Sequence, residues 1–227
     1  DVSWILLALT FMLKRKHYKT DFELHYLHYS PIIDPKICVV IPTYNEEKNI
    51  EGIIHECFNQ KFVKKIIVVD NNSSDKTTDI AEKEKNVIVM KKKINKGYTH
   101  SCIMGLKESL KTDVNIIALI DADGTFSPND LNKLIPYLDN CDLVIGSRQH
   151  QVITEKGNQN SMFYVWGNLF LAKLLQLKYF SLLHLGIIQL TDVGCTYRCI
   201  KKEALQKIIY ELTNPSDTAV LKPENWL

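Results

Sequence analysis

From residue 37 onward the chain alternates between short apolar runs and longer mixed stretches. Runs rich in β-branched residues occupy positions 37–41, 65–69, 87–90, 114–120 and 143–145. Helix-like stretches lie between them, at 46–59, 76–83, 98–111 and 128–138. A strand that is apolar at nearly every position must be covered on both faces, as in a parallel sheet layered between helices. The pattern therefore predicts an α/β fold with a mostly parallel sheet. A different stretch follows at 158–190. It is long and apolar (Phe163, Trp166, Phe170, Leu174 and Phe180 among others), and its charged residues are Lys173 and Lys178. A last strand–helix unit is predicted over 191–212.

Residues 2–13 (VSWILLALTFML) are also apolar, and Lys14-Arg15-Lys16-His17 follows at once. That run is shorter than the ~20 residues that span a bilayer. A signal peptide carries its positive charges before the apolar run, not after it. Two readings stay open: the end of a transmembrane helix begun upstream, its basic cluster on the cytoplasmic side, or an amphipathic or buried helix. The expected organisation is a membrane-proximal segment at 1–36, a main domain at 37–212 and a truncated tail at 213–227. The main domain divides into halves at 37–148 and 149–212.

Composition narrows the classes. A chain of 227 residues holds one large domain or two small ones. Apolar residues at 45% and charged residues at 24% are those of a globular protein. A net charge of +2 lacks the basic excess of a nucleic-acid binder, so no nucleic-acid partner is expected. The six cysteines form no CxxC pair and no zinc-like spacing with histidine. They read as reduced core cysteines of a cytosolic compartment.

In open α/β sheets, ligands bind beyond the carboxyl ends of the strands. Here those ends are polar. Strand one runs into Pro42-Thr43-Tyr44-Asn45-Glu46-Glu47 and strand two into Asp70-Asn71-Asn72-Ser73-Ser74-Asp75. Strand four runs into Asp121-Ala122-Asp123-Gly124 and strand five into Gly146-Ser147-Arg148. Asp121 and Asp123 leave their strand one residue apart, so both carboxylates can approach a hard divalent ion. Mg²⁺ or Mn²⁺ characteristically shares such carboxylates with substrate phosphates. Taken in isolation, a DxD reads as an Asx turn or a helix cap rather than as a metal site. Neither G-x-G-x-x-G nor G-x-x-x-x-G-K-[ST] is present, so phosphate is expected on a metal rather than in a glycine-rich loop. Ser73 and Ser74 are expected as turn and cap residues. Lys91-Lys92-Lys93 is expected as a solvated loop that could attract phosphate, and His100 and His184 as structural. Gly124 and Gly146 fall at these strand ends, and Gly97 and Gly194 in NKG at 95–97 and TDVGCTYR at 191–198, where tight turns or close backbone approach would need glycine.

Taken together, the motifs resemble family 2 glycosyltransferases with a GT-A (Rossmann-like) fold. The carriers are VVIPTYNEE at 39–47, VVDNNSSDKT at 68–77 and DADG at 121–124, in the family's order and spacing. NKG at 95–97 resembles the family's N-x-G element, and IGSR at 145–148 its strand-five GSR. TDVGCTYR at 191–198, followed by KKEAL at 201–205, resembles a segment of polyprenyl-phosphate sugar transferases such as the dolichyl-phosphate mannose synthases. The resemblance covers residues 37–212.

It implies transfer of a sugar from a UDP- or GDP-linked nucleotide-sugar donor to a polyprenyl phosphate, with Mg²⁺ or Mn²⁺, at the cytoplasmic face of a membrane. It places Pro42, Tyr44 and Glu46 at the base and ribose, with Asp70 beside them. Asp121 and Asp123 would bind the metal on the donor diphosphate. Arg198, and more weakly Arg148, would grip phosphate, a task suited to a forked guanidinium. Asp192 corresponds to the family's late acidic position. Relatives with a hydroxyl acceptor use an acid there as general base. A phosphate monoester, with a second pKa of about 6, is already a nucleophile near neutral pH, so the role of Asp192 stays open. The 158–190 stretch fits either a core helix pair or interfacial helices that admit a lipid acceptor, with Lys173 and Lys178 reaching to headgroups. One departure stands out: mannose synthases follow the DxD with a Gln two positions on as a further metal ligand, and Thr125 stands here. That leaves the donor's sugar and base open. Two other readings remain: a family 2 transferase acting on a saccharide or protein hydroxyl, and a truncated, donor-binding but inactive protein.

Overall fold

In the computed structural model, the most apolar run forms the middle of a sheet. β1 (Ile37–Thr43) is buried at every position. Isoleucine and valine suit it because branched side chains pack well on a pleated, covered surface. β2 (Val63–Asp70) and β4 (Ile116–Leu119) flank β1, both parallel to it. β3 (Val87–Lys91) extends the sheet beyond β2, again parallel. Beyond β4 the direction reverses. β6 (Arg198–Lys201) runs antiparallel to β4, and β5 (Leu143–Ile145) runs antiparallel to β6. The order is β3-β2-β1-β4-β6-β5. The sheet is therefore mostly parallel, as expected, but the late strand inserts between β4 and β5 instead of adding at an edge.

The described residues are 29–147, 162–178 and 192–213. The N-terminal apolar run with its basic cluster, Arg148, His184 and residues 214–227 lie outside them.

The helices are α1 (Ile50–Phe58), α2 (Thr77–Ala81), α3 (Tyr98–Ser109), α4 (Leu131–Leu134), α5 (Met162–Lys178) and α6 (Lys202–Thr213). The helix expected over 128–138 is broken into 3₁₀ turns at Pro128–Asp130 and Ile135–Asp139 on either side of α4. Pro136 explains the break, because it offers no N–H to the carbonyl four residues earlier and crowds that turn. On one face of the sheet, Cys38, Val40, Ile67, Val69 and Ile117 join Ile200 and Leu205 in a buried cluster. Met104 and Leu106 of α3 pack against it. Five cysteines are buried and Cys141 is exposed. Burial pushes the thiols of Cys38, Cys57, Cys102 and Cys199 up to about 12, so they stay protonated.

The chain divides into two compact units. One comprises 27–145 with 196–227 and holds the whole sheet; the other comprises 1–26 with 146–195 and contains α5. Along α5, Ala172 is buried while Trp166, Phe170 and Leu171 are exposed. Among the described residues, no helix is long and apolar enough to cross a membrane.

Candidate active site

A cavity of about 410 Å³ opens at the carboxyl ends of β1, β2 and β4. Pro42, Thr43, Tyr44 and Glu46 line it after β1, and Asn71 after β2. Asn95, Gly97, Tyr98 and Ser101 line it at the start of α3, and Asp121, Ala122 and Asp123 after β4. This is where a parallel sheet is expected to bind a ligand.

The loops after β1 and β2 are laced together. The Asn45 N–H donates to Ser73 Oγ (2.9 Å), the Glu46 N–H to Thr77 Oγ1 (2.8 Å) and the Glu47 N–H to Asp75 Oδ2 (3.1 Å). In return the Ser74 N–H donates to Asn45 Oδ1 (2.8 Å). Asn45 and Asn72 take left-handed φ values of 57° and 68°, which Asn tolerates better than other side chains. Tyr44 stands half-exposed in the cavity wall, 51% accessible. The Glu46 carboxylate accepts from Asn49 Nδ2 at 2.8 Å.

Asp70 sits behind this wall. It is 3% exposed and its carboxylate accepts from both the N–H and the hydroxyl of Ser73, so it shapes the turn. Ser73 and Ser74 act within that turn as expected. They do not cap the next helix, which begins only at Thr77.

The lysine triplet departs from the expected solvated loop. Lys91 is exposed and pairs with Glu82 at 3.2 Å. Lys92 is buried: its ammonium donates to Asn71 Oδ1 (2.5 Å) and Ser101 Oγ (3.1 Å). Asn71 Nδ2 in turn donates to Asn95 Oδ1 (2.6 Å), which also accepts the Gly97 N–H (2.9 Å). A buried cation thus organises the far wall, where Gly97 takes φ 85°.

The two DxD carboxylates have different settings. Asp121 is gripped on both oxygens: Tyr98 OH donates to Oδ1 at 2.5 Å, and the Thr196 hydroxyl donates to Oδ2. Burial, and then neighbouring groups including Asp121, push the Tyr98 phenol well above its ordinary pKa, so it remains a donor. Asp123 is exposed, and its Oδ1 accepts the Thr125 N–H at 2.9 Å in an Asx turn. The next residues are tied to the strand lead-in. Phe126 meets Tyr197 edge-on with centroids 5.5 Å apart, and Tyr197 OH donates to the Ser127 carbonyl at 3.4 Å.

The cavity thus gathers Pro42, Tyr44, Glu46, Asp121 and Asp123, with Asp70 behind them. Arg198 is half-buried on β6, in register with Leu119 and Ile145, and is not among the lining residues. Asp192 belongs to the other compact unit, where it is 2% exposed and its Oδ1 accepts the Gly194 N–H at 3.1 Å. Glu51, His55 and Glu84 also bring potential ligand atoms within 4.8 Å of one another, but none of them lines the cavity. Sequence reasoning missed Tyr98 and Thr196 as site residues, and missed the burial of Lys92. Period-two alternation along β3 would have turned Lys92 inward between exposed Lys91 and Lys93.

The profile of glycosyl transferase family 2 matches residues 38–209. The chain belongs to that family. It is 31% identical over 179 residues to the polyprenol monophosphomannose synthase of Mycolicibacterium smegmatis, a match covering 75% of this chain and 63% of that protein. It is 32% identical over 133 residues to the UDP-N-acetylglucosamine–dolichyl-phosphate N-acetylglucosaminyltransferase of Methanococcus voltae, covering 51% of this chain and 53% of that protein. The chain therefore spans less than two thirds of the length of both relatives. Its fold is GT-A. A solved glucosyl-3-phosphoglycerate synthase of Mycobacterium tuberculosis, in complex with Mn²⁺, UDP and phosphoglyceric acid, superposes with a TM-score of 0.54 at 19% identity. That superposition covers 74% of this chain and 56% of the synthase.

Proposed function

We propose that this protein transfers a hexosyl group from a UDP- or GDP-linked donor to a polyprenyl phosphate. The carrying observation is the cavity at the strand ends, where an accessible aromatic ring, a ribose-reaching carboxylate and the DxD pair face one space. Tyr44 packs on the base, Pro42 borders it, and Glu46 accepts from ribose hydroxyls. Asp70 holds the turn that sets their spacing.

The DxD residues fit a divalent cation, Mg²⁺ or Mn²⁺. Both are hard oxygen donors, and Asp123 Oδ2 has no protein partner among the described residues. Such an ion, when bound, offsets the charge of the departing nucleoside diphosphate. Asp121 orients the donor beside it. Arg198, and Arg148 beyond the described residues, serve phosphate. Asp192 orients groups rather than removing a proton, because a phosphate acceptor arrives deprotonated. The acceptor class is supported by the two relatives, whose names join different sugars to one kind of lipid phosphate. A membrane surface as partner is supported by the exposed Trp166, Phe170 and Leu171 of α5.

The test is release of nucleoside diphosphate from UDP-glucose, UDP-N-acetylglucosamine and GDP-mannose, with Mn²⁺ and a polyprenyl phosphate. One donor should turn over, and Asp123→Ala should lower kcat/KM by roughly 10²-fold or more, the scale of a lost transition-state charge contact. Undiminished turnover in that variant overturns the metal assignment. Loss of transfer in Asp192→Asn with donor binding intact points instead to a hydroxyl acceptor that needs a base.

A further inference from the structure

We infer that Tyr98 and Thr196 are positioning residues for donor binding: two hydroxyls, brought from separate elements, fix the Asp121 carboxylate at the cavity. This rests on the donor reading above. A carboxylate just past a strand end turns freely about its side-chain bonds unless something holds it. Here Tyr98 OH donates to Oδ1 (2.5 Å) and the Thr196 hydroxyl to Oδ2. The donors lie 23 and 75 residues from Asp121 in sequence, so the arrangement exists only in the folded chain. Hydrogen bonds from hydroxyls to a charged carboxylate are short and about twice as strong as neutral ones. They orient Asp121 without exhausting it, because a carboxylate offers about four lone-pair sites and two remain for a ligand.

Both hydroxyls are themselves anchored. Tyr98 opens α3 directly after the Asn71–Asn95–Gly97 network. Thr196 precedes Tyr197, whose ring meets Phe126 and whose hydroxyl reaches Ser127, both just past the DxD. The lead-in to β6 is thus tied to the DxD loop at two successive residues. Removing either hydroxyl leaves the chain fold in place but releases one oxygen of Asp121. The effect falls on nucleotide affinity, since the ligand must then order the carboxylate as it binds.

The experiment titrates UDP and GDP, each with Mn²⁺, into the intact chain and into Tyr98→Phe, Thr196→Val and Thr196→Ser, by calorimetry, with a thermal melt of each. Wild type should bind one nucleotide. Tyr98→Phe and Thr196→Val should each weaken it about tenfold, the scale of one hydrogen bond to a charged group. Thr196→Ser, which keeps the hydroxyl, should bind within about twofold of wild type on the same scale. Unchanged affinity in Tyr98→Phe and Thr196→Val overturns the positioning role while leaving the donor reading intact. So does equal loss in Thr196→Ser and Thr196→Val, which reports packing instead of a hydroxyl. Wild type that binds neither nucleotide overturns the donor reading, and the positioning role with it.

Discussion

Lys92 and His100 sit close together in sequence, and both are held where a positive charge is unfavourable. Burial lowers the Lys92 pKa first, with Lys96 adding to it. Burial likewise leads for His100, followed by the ammonium groups of Lys92, Lys96 and Lys107. His100 Nδ1 is buried without a hydrogen-bond partner among the described residues. The sign of the pH effect follows. In the unfolded chain this imidazole takes a proton near its ordinary value of 6.5, whereas the folded protein takes it only at lower pH. The unfolded state therefore binds more protons across that window, and stability rises with pH. The contribution of His100 is full above 6.5 and is lost as pH falls through the folded value. His100→Gln should flatten the fall in unfolding free energy as pH drops below 6.5, measured by urea titration at each pH. Parallel slopes for wild type and variant would contradict this. The expectation of a structural histidine was available from its lack of partners. Its electrostatic setting was not, because that depends on a lysine whose burial a triplet of lysines conceals.

At the level of elements, the alternation of apolar runs and helix-like stretches was enough to locate β1 to β5 and α1 to α3, since each apolar run needs cover on both faces. The antiparallel insertion of β6 was not legible. A four-residue strand carries no mark of its neighbours, and those are set by long-range pairing with Leu119 and Ile145. The site divides the same way. Contiguous motifs such as PTYNEE and DADG announced themselves, while the Tyr98–Asp121–Thr196 contact joins three separate segments.

Gly105 is a further case. It lies inside α3 and belongs to no motif, yet a Cβ there would stand 2.3 Å from Val40 Cγ1 and 3.0 Å from Val69 Cγ2. α3 reaches the sheet closely because this position has no side chain. Ala would gain about 1 kcal/mol of helix propensity, but branched valines in a packed core give way poorly, and overpacking costs about 1–3 kcal/mol or more. Gly105→Ala should therefore destabilise by up to about 2 kcal/mol net. Gly52, exposed on α1 with nothing within 4 Å of its added Cβ, provides the contrast. Gly52→Ala should be neutral or stabilising by up to about 1 kcal/mol. Denaturant midpoints that move the same way for both would refute the close-approach account.

For the whole molecule, the proposed reaction joins a donor dissolved in water to an acceptor dissolved in a membrane, so the protein needs a face that the bilayer accepts. Trp166 and Phe170 are spaced four apart and share one side of α5, 67% and 59% exposed. Lys173 stands three residues beyond Phe170 on the same side, where its ammonium can reach lipid headgroups while its stem stays among apolar atoms. Each large apolar side chain taken from water contributes about 1.5–3 kcal/mol when fully buried. Partial insertion of two should still amount to tenfold or more in partitioning, roughly 1.4 kcal/mol. The double variant Trp166→Ser/Phe170→Ser should co-sediment with mixed phosphatidylcholine–phosphatidylglycerol vesicles at least about tenfold more weakly than wild type. Binding of soluble nucleotide with Mn²⁺ should stay unchanged, because neither residue lines the cavity. Transfer to a vesicle-embedded polyprenyl phosphate should fall, while transfer to a short, water-soluble analogue should not. If residues 2–13 alone carry the attachment, the double variant will partition as wild type does, and α5 is then not the surface that meets the lipid.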